Sequence, residues 1–492
     1  MTTTPESDLP VDLETAGVAE IQAAMTAGTL TAEALALGYL ERIARYDPLV
    51  NAIRCLAPDA LDQARALDDE RRGAGPRGPL HGIAVLVKDN VDVAGLPTTA
   101  GSMALRDNVP GGDAPLVTRL RAAGAVILGK TNLTEFANFM AREMPSGYSS
   151  LGGQVLNPYD TTITPCGSSS GSGAAAALSL ATVTVGSETD GSILCPASMQ
   201  GLVGVKPTVG LISRTGIIPI SPSQDTAGSM TRTVRDAAEL LTVLAGVDDH
   251  DPATTTAGRP APVDYAVTLE NVALQGLRLA VPAAPGDLHG ADLELFEQAQ
   301  RLLTGAGAVL VPVPALADSD ELVVLLHEFG PALGAYLATV PDPPVRDLAG
   351  VVAYNSAHAG VALKYGQALL EESLALDREA GRPAYQAART RDQALAGEHG
   401  IDAVLAAYDV RALLLPGAEG CGVGARAGYP SVTVPAGVRA HGRRPFGVTF
   451  MAGAWSEAEL LSIAFAYEQL SQARVPVSQA NPWLVVAAQA DA

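Results

Sequence analysis

PCGSSSGSGAAAALSLATVTVGSETDGS, residues 165–192, sets two Ser/Gly-rich turns at the ends of a helix-then-strand unit. The Ala-rich middle has helical composition. The β-branched run TVTV (182–185) reads as a strand. Hydroxyls beside glycines let backbone N–H groups approach a ligand closely. That is the layout of a serine nucleophile with an oxyanion hole.

Outward from this stretch, helices and strands alternate. Upstream, GIAVLVKD (82–89) is a short apolar run bounded by turn signals and reads as a buried strand. A helix at Pro115–Ala123, a strand AVILGK (125–130) and a helix beginning near Thr131 follow, and the alternation continues to about Leu244. Residues 11–67 read as helical, with Thr31 as a cap, a break at Asp47-Pro48 and a second helix over Asp59–Arg72. Beyond a polar, Pro-rich crossing (247–264) come LRLAVP (277–282), a helix at Asp292–Gly305 and AVLVPVP (308–314). Residues 320–400 read as a helical cap. ALLLP (412–416), SVTVP (431–435) and FGVTFMA (446–452) return as strands before a helix from Ser456 to about Ala473. The expected fold is α/β, a single compact domain over 1–492 with a large mixed, mostly covered central β-sheet flanked by helices on both faces. Its expected parts are N-terminal helices (11–75), a core (76–245) and a second α/β portion (265–490) that carries the cap.

The formal net charge is −21, and no Lys/Arg cluster exceeds two residues. Both features speak against nucleic-acid partners and against docking to anionic membranes. The N-terminus MTTTPESDLPVD has neither a basic nor an apolar region, and Ala174–Val185 is too short to span a bilayer, so a cytoplasmic chain is expected. Four cysteines without a CxxC pair argue against a zinc ribbon. Cys166 and Cys195 flank the two turns and read as two separate buried thiols.

GSSSG (167–171) fits a nucleophile elbow centred on Ser169. The preceding NPYDTTITPC carries prolines that a central strand would not, and no downstream histidine has a motif-like setting. The alternative base is a lysine held neutral by burial, and Lys88 ends the apolar strand IAVLV. Taken alone, Lys88 reads equally as a strand-end lysine reaching solvent.

HGIAVLVKDN (81–90), the Ser/Gly loop and GSETDGSILCP (186–196) together resemble the amidase signature family, in particular its peptide-amidase branch. Ser168 and Ser192 lie 24 residues apart, as the family pattern has them. AGAVILGKTNLTEFANF (123–139), residues 201–228 and AGYPSVTVPAG (427–437) extend the likeness over the chain. The resemblance implies the amidase signature fold and amide hydrolysis through an acyl-enzyme, with Ser192 as nucleophile, Ser168 as bridging serine and Lys88 as base. It also implies a cis Gly167–Ser168 peptide, an oxyanion hole at Thr189, Asp190, Gly191 and Ser192, and supporting roles for Gly167, Ser169, Ser170 and Asp225. It calls for no cofactor and no metal. The implied substrate is a small or peptide carboxamide, and the implied state is a monomer or homodimer without nucleic-acid or membrane partners.

Leu194 stands where many members carry Arg, as in the amidotransferase component that makes amidated tRNA. The segment 416–427 is shorter than in the peptide-amidase branch. A more open site there suits anilides, esters or carbamates. The alternatives are therefore an aryl-acylamidase, a carbamate hydrolase, or an amidotransferase A-type subunit.

Overall fold

β6 (Val183–Glu188) lies inside an eleven-stranded sheet and is buried along its whole length. The computed structural model describes residues 9–490, apart from 285, 287, 318 and 440–442. Much of the N-terminal segment discussed above, residues 1–8, therefore lies outside the described residues.

In chain order the strands are β1 (Ile53–Leu56), β2 (Ala84–Lys88), β3 (Val126–Thr131), a small hairpin of β4 (Tyr148–Ser149) and β5 (Gly153–Gln154), then β6, β7 (Val203–Lys206) and β8 (Thr226–Thr231). The second half contributes β9 (Arg278–Pro282), β10 (Val309–Val313), β11 (Ala412–Pro416), β12 (Ser431–Val438) and β13 (Pro445–Met451). The sheet order is β1-β3-β2-β6-β8-β7-β12-β13-β11-β9-β10. β3, β2 and β6 run parallel, as do β11, β9 and β10, while the centre is antiparallel. This is the expected mixed α/β sheet, with one large apolar core through it.

Two registers position the site. β2 and β6 pair in parallel, Val87 opposite Val185, so both strands end at one edge of the sheet. β8 pairs antiparallel with β6, Glu188 opposite Thr226, which brings Asp225 to the same edge. The carboxyl ends of parallel strands are where open α/β sheets place their ligands. The helix Ser170–Ala177 packs on this sheet with every residue buried. Its small residues are required: a Cβ on Gly171 would lie 2.3 Å from the carbonyl oxygen of Asn132 and 2.5 Å from that of Ala52.

The helices Leu322–Leu337, Leu348–Ala357 and Ala368–Ala375 form a cap with its own apolar cluster, which also takes in Phe136, Phe139 and Met140. Among the described residues no helix is long and apolar enough to cross a membrane.

Three local readings need correction. The N-terminal part is not purely helical, because β1 pairs antiparallel with β3 at the sheet edge. The helix Ala32–Val50 runs past Pro48. Past its end the Asp47 carboxylate accepts the N–H groups of Ala52 (2.6 Å) and Ile53 (2.9 Å), which anchors the turn into β1. No regular helix starts near Thr131. After β3 the chain makes a short turn with Phe136 and Ala137 in the left-handed region, just after Thr134, whose N–H donates to the Ser168 carbonyl of the first serine loop.

Candidate active site

Lys88, the last residue of β2, is fully buried. Its Nζ lies 2.8 Å from Ser168 Oγ, and it donates to the carbonyl oxygen (3.1 Å) and the hydroxyl (3.0 Å) of Ser187. Asn90 Nδ2 donates to the same Ser187 hydroxyl at 2.9 Å. Burial drives the lysine down to about 7, against the opposing pull of the Glu188 and Asp225 carboxylates. A neutral amine has two N–H groups and one lone pair. With Ser187 accepting two hydrogen bonds, the third position at Nζ faces Ser168, an N–H if the lysine is charged and the lone pair if it is neutral.

Ser168 follows a cis peptide bond from Gly167, and its carbonyl accepts the Thr134 N–H at 3.1 Å. Thr134 Oγ1 would lie only 2.4 Å from a Cβ on Gly167, so the glycine is needed for this close approach. The Ser169 N–H donates to the Ser192 carbonyl at 3.1 Å and so joins the two turns. The Ser169 hydroxyl donates to the Ser187 carbonyl (3.0 Å) and accepts its N–H (3.2 Å). The centre of GSSSG is therefore engaged by the β6 backbone, and no strand leads into it as an elbow requires. Ser170 Oγ makes a long contact of 3.4 Å to the Ser168 carbonyl.

Carboxylates brace the second turn on both sides. Glu188 Oε2 accepts the N–H groups of Ile193 (2.6 Å) and Leu194 (3.0 Å), the two residues after Ser192. Asp225 Oδ1 accepts the Thr189 hydroxyl at 2.6 Å, while Oδ2 takes the N–H groups of Ile220 and Ser221, each at 2.9 Å. Burial raises Asp225 to about 6. Gly191 adopts φ 70°, in the left-handed region that lets the turn present consecutive N–H groups. Ser192 itself is 5 % exposed.

Cys166 and Cys195 are not separate thiols. They form a disulfide, with Cα atoms 5.9 Å apart, that ties the residue before Gly167 to the third residue after Ser192. The Ser169–Ser192 contact closes the intervening chain and brings the cysteines into bonding range. Two cysteines 29 residues apart gave no sign of that closure.

Several site residues escaped the sequence reading. Ser187 and Glu188 lie within the quoted GSETDGS, yet only the β2–β6 pairing shows that Ser187 faces Lys88. Glu321 and Cys421 approach Asp190 from distant segments, and burial with the Asp190 carboxylate pushes both Glu321 and the Cys421 thiol up. No local pattern marks either residue. Among the described residues no group of three His, Cys, Asp or Glu side chains could hold a metal ion.

Comparison with known proteins agrees with this geometry. The family model for amidases matches residues 34–418. The native peptide amidase of Stenotrophomonas maltophilia superposes with a TM-score of 0.91 at 47% identity, over 94% of this chain and 99% of that one. A probable amidase of Arabidopsis thaliana is 37% identical over 94% of this chain and 91% of its own length. The A-type component of glutamyl-tRNA(Gln) amidotransferase from Salinispora tropica is 38% identical over 75% of this chain and 72% of its own. Fold and sequence together place the chain in the amidase family, whose members hydrolyse amides.

Proposed function

We propose that the protein hydrolyses carboxamides, C-terminal peptide amides or other small amides, through an acyl-enzyme on Ser192. The observation that carries this reading is the buried Lys88, whose Nζ donates to both oxygens of Ser187 and lies 2.8 Å from Ser168 Oγ. Ser192 Oγ attacks the carbonyl carbon while its proton passes to Ser168, whose own proton passes to Lys88. The developing oxyanion meets the backbone N–H groups of the Thr189–Ser192 turn, where each such donor is worth about 3–4 kcal/mol. Collapse expels the nitrogen, which takes a proton back through Ser168 and leaves as ammonia from a primary carboxamide or as an amine from a substituted one. Water then attacks the ester by the same relay and frees Ser192. Ser169 and Ser170 act as structural supports of the first loop. Asp225 positions Thr189.

A peptide amide as substrate is supported by the 47% identity to a peptide amidase over nearly the whole chain. The amidotransferase component is more distant: one solved example superposes over 94% of the chain with a TM-score of only 0.69 at 26% identity, and Leu194 departs from the Arg common in that group.

The test is Ser192→Ala assayed on a peptide amide, with circular dichroism to check the fold. Turnover should vanish, and a fluorophosphonate probe should label the parent protein but not the variant. Retained activity in a folded Ser192→Ala protein sinks the assignment. A panel of amides, anilides, esters and carbamates compared by kcat/KM then reads the substrate class.

A further inference from the structure

At the edge of the sheet opposite Ser192, two guanidiniums hold donors that nothing in the fold uses. β8 starts beside the nucleophile turn, where Thr226 faces Glu188, and ends at Thr231. Arg232 follows and is 2 % exposed. It donates through Nη1 to the Ala181 carbonyl (3.0 Å), just before β6, and through Nη2 to the Ala16 carbonyl (2.6 Å) of the N-terminal segment. The six residues of β6 separate this edge from the catalytic one, about 20 Å at the rise of an extended strand.

Arg232 and Arg474 both line a pocket of about 230 Å³ at this edge. Thr15, Thr233, Gln469 and Gln472 give it a polar wall, and no residue of the two serine turns or their supports borders it. Arg232 Nε and both Nε and Nη2 of Arg474 are out of solvent and donate to no acceptor. Nε and Nη2 make up one edge of a guanidinium, the fork that meets two oxygens of a carboxylate or phosphate together. Buried donors call for acceptors, and two neighbouring cations call for an anionic one. Burial lowers Arg474, and the Arg232 charge acts on it in the same direction. The carboxylates nearby are engaged by backbone amides instead: Glu14 Oε1 by Ser478 (3.0 Å), Asp236 Oδ1 by Val18 (2.9 Å) and Glu468 Oε1 by Val234 (2.8 Å). Glu468 also lines the pocket, but burial raises it to about 7, which weakens its opposition to an anion.

We propose that this pocket binds a small oxyanion, a phosphate or a compact carboxylate, with two oxygens on the Nε–Nη2 edge of Arg474 and one on Arg232 Nε. The site is separate from Ser192 and does not rest on the amide chemistry there. Arg232 holds Ala16 and Thr15 borders the pocket, so an occupied site fastens the N-terminal segment to the end of β8 and to the end of the helix Glu457–Ser471.

Calorimetric titration with inorganic phosphate and, separately, with acetate, at constant ionic strength set by chloride, tests the site. One saturable site is expected for at least one of the two anions, and the tighter binder tells whether the oxyanion is a phosphate or a carboxylate. Arg474→Gln should abolish binding. Arg474→Lys keeps the charge without the fork and should weaken binding about tenfold. Gln469→Glu sets a carboxylate at the exposed mouth and should abolish binding with both arginines in place, so it carries the test if Arg474→Gln fails to fold. All three variants, checked by circular dichroism, should keep the parent's kcat/KM on a peptide amide, and Ser192→Ala should bind the anion as the parent does. The bound anion should also slow amide hydrogen exchange over 14–18 and 468–475 in the parent but not in Gln469→Glu. No saturable binding of either anion, binding at full strength in folded Gln469→Glu, or Arg474→Lys binding as well as the parent overturns the proposal. Competition between the anion and a peptide amide places the anion at Ser192 and overturns it as well.

Discussion

Lys88 shows how much one residue's surroundings decide. A lysine at the end of an apolar strand could reach solvent or remain buried, and the sequence alone leaves both open. The structure buries it, and burial brings it down to about 7. As the base it works only when neutral, so kcat/KM for a neutral amide should rise with pH through about 7 and then level, because kcat/KM reports groups of the free enzyme. A profile flat from pH 5 to 9 would count against Lys88. Glu188 acts one step away. It accepts the N–H groups of Ile193 and Leu194, so Glu188→Ala should lower kcat by up to about 100-fold with KM nearly unchanged, since small misplacement of a nucleophile is costly. Glu188→Gln keeps a carbonyl oxygen for the same two amides and should recover most of the rate. If both variants fail equally, the carboxylate has some role other than positioning the turn.

At the scale of elements, the two turns form one unit, and their serines were legible from spacing to a familiar pattern. The strands were legible too, where apolar runs such as GIAVLVKD and ALLLP are bounded by turn signals. What stayed hidden depends on pairing between distant segments: β1 on the sheet edge, the Ser187–Lys88 contact, and the disulfide. The disulfide has a measurable consequence. Closing a loop between residues 29 apart restricts the unfolded chain by about 3–4 kcal/mol in the chain-entropy view. Both cysteines are partly exposed and within reach of a reductant. Reduction should therefore lower Tm, and it should also lower kcat because the bridge holds the segments bearing Ser168 and Ser192 together. The Cys166→Ser, Cys195→Ser double variant should match the reduced protein and no longer respond to reductant. An unchanged Tm and rate in the parent protein after complete reduction, verified by thiol titration, would remove the bridge from the account.

The whole molecule divides its apolar packing among one large core through the sheet, a second cluster under the cap and a smaller third one around Leu413, Leu415 and Val423. The division was only partly legible. The cap's helices were readable from residues 320–400, but the partner they pack on, the irregular turn holding Phe136 and Phe139, reads as regular helix in sequence. Phe329 is the hinge pin of that second cluster. It is fully buried, edge-on to Phe136 at 5.9 Å and tilted on Phe139 at 5.0 Å between ring centroids. Polar ties reinforce the same seam: Glu328 accepts from Ser221 Oγ (2.6 Å), Ser223 N (3.0 Å) and Tyr385 OH (2.6 Å), and Tyr336 OH donates to Asp92 (2.7 Å). Because the cap cluster is separate from the sheet core, damage to one need not spread. Phe329→Ala removes a buried ring at a cost of about 3–5 kcal/mol. That loss should appear as faster amide hydrogen exchange across 322–375, with the strands β2, β6 and β8 as protected as before. The cap covers the turn that bears Thr134, so the variant should also lose substrate affinity before it loses kcat. Exchange rising equally in the cap and in the central strands would mean that both clusters open as a single cooperative unit.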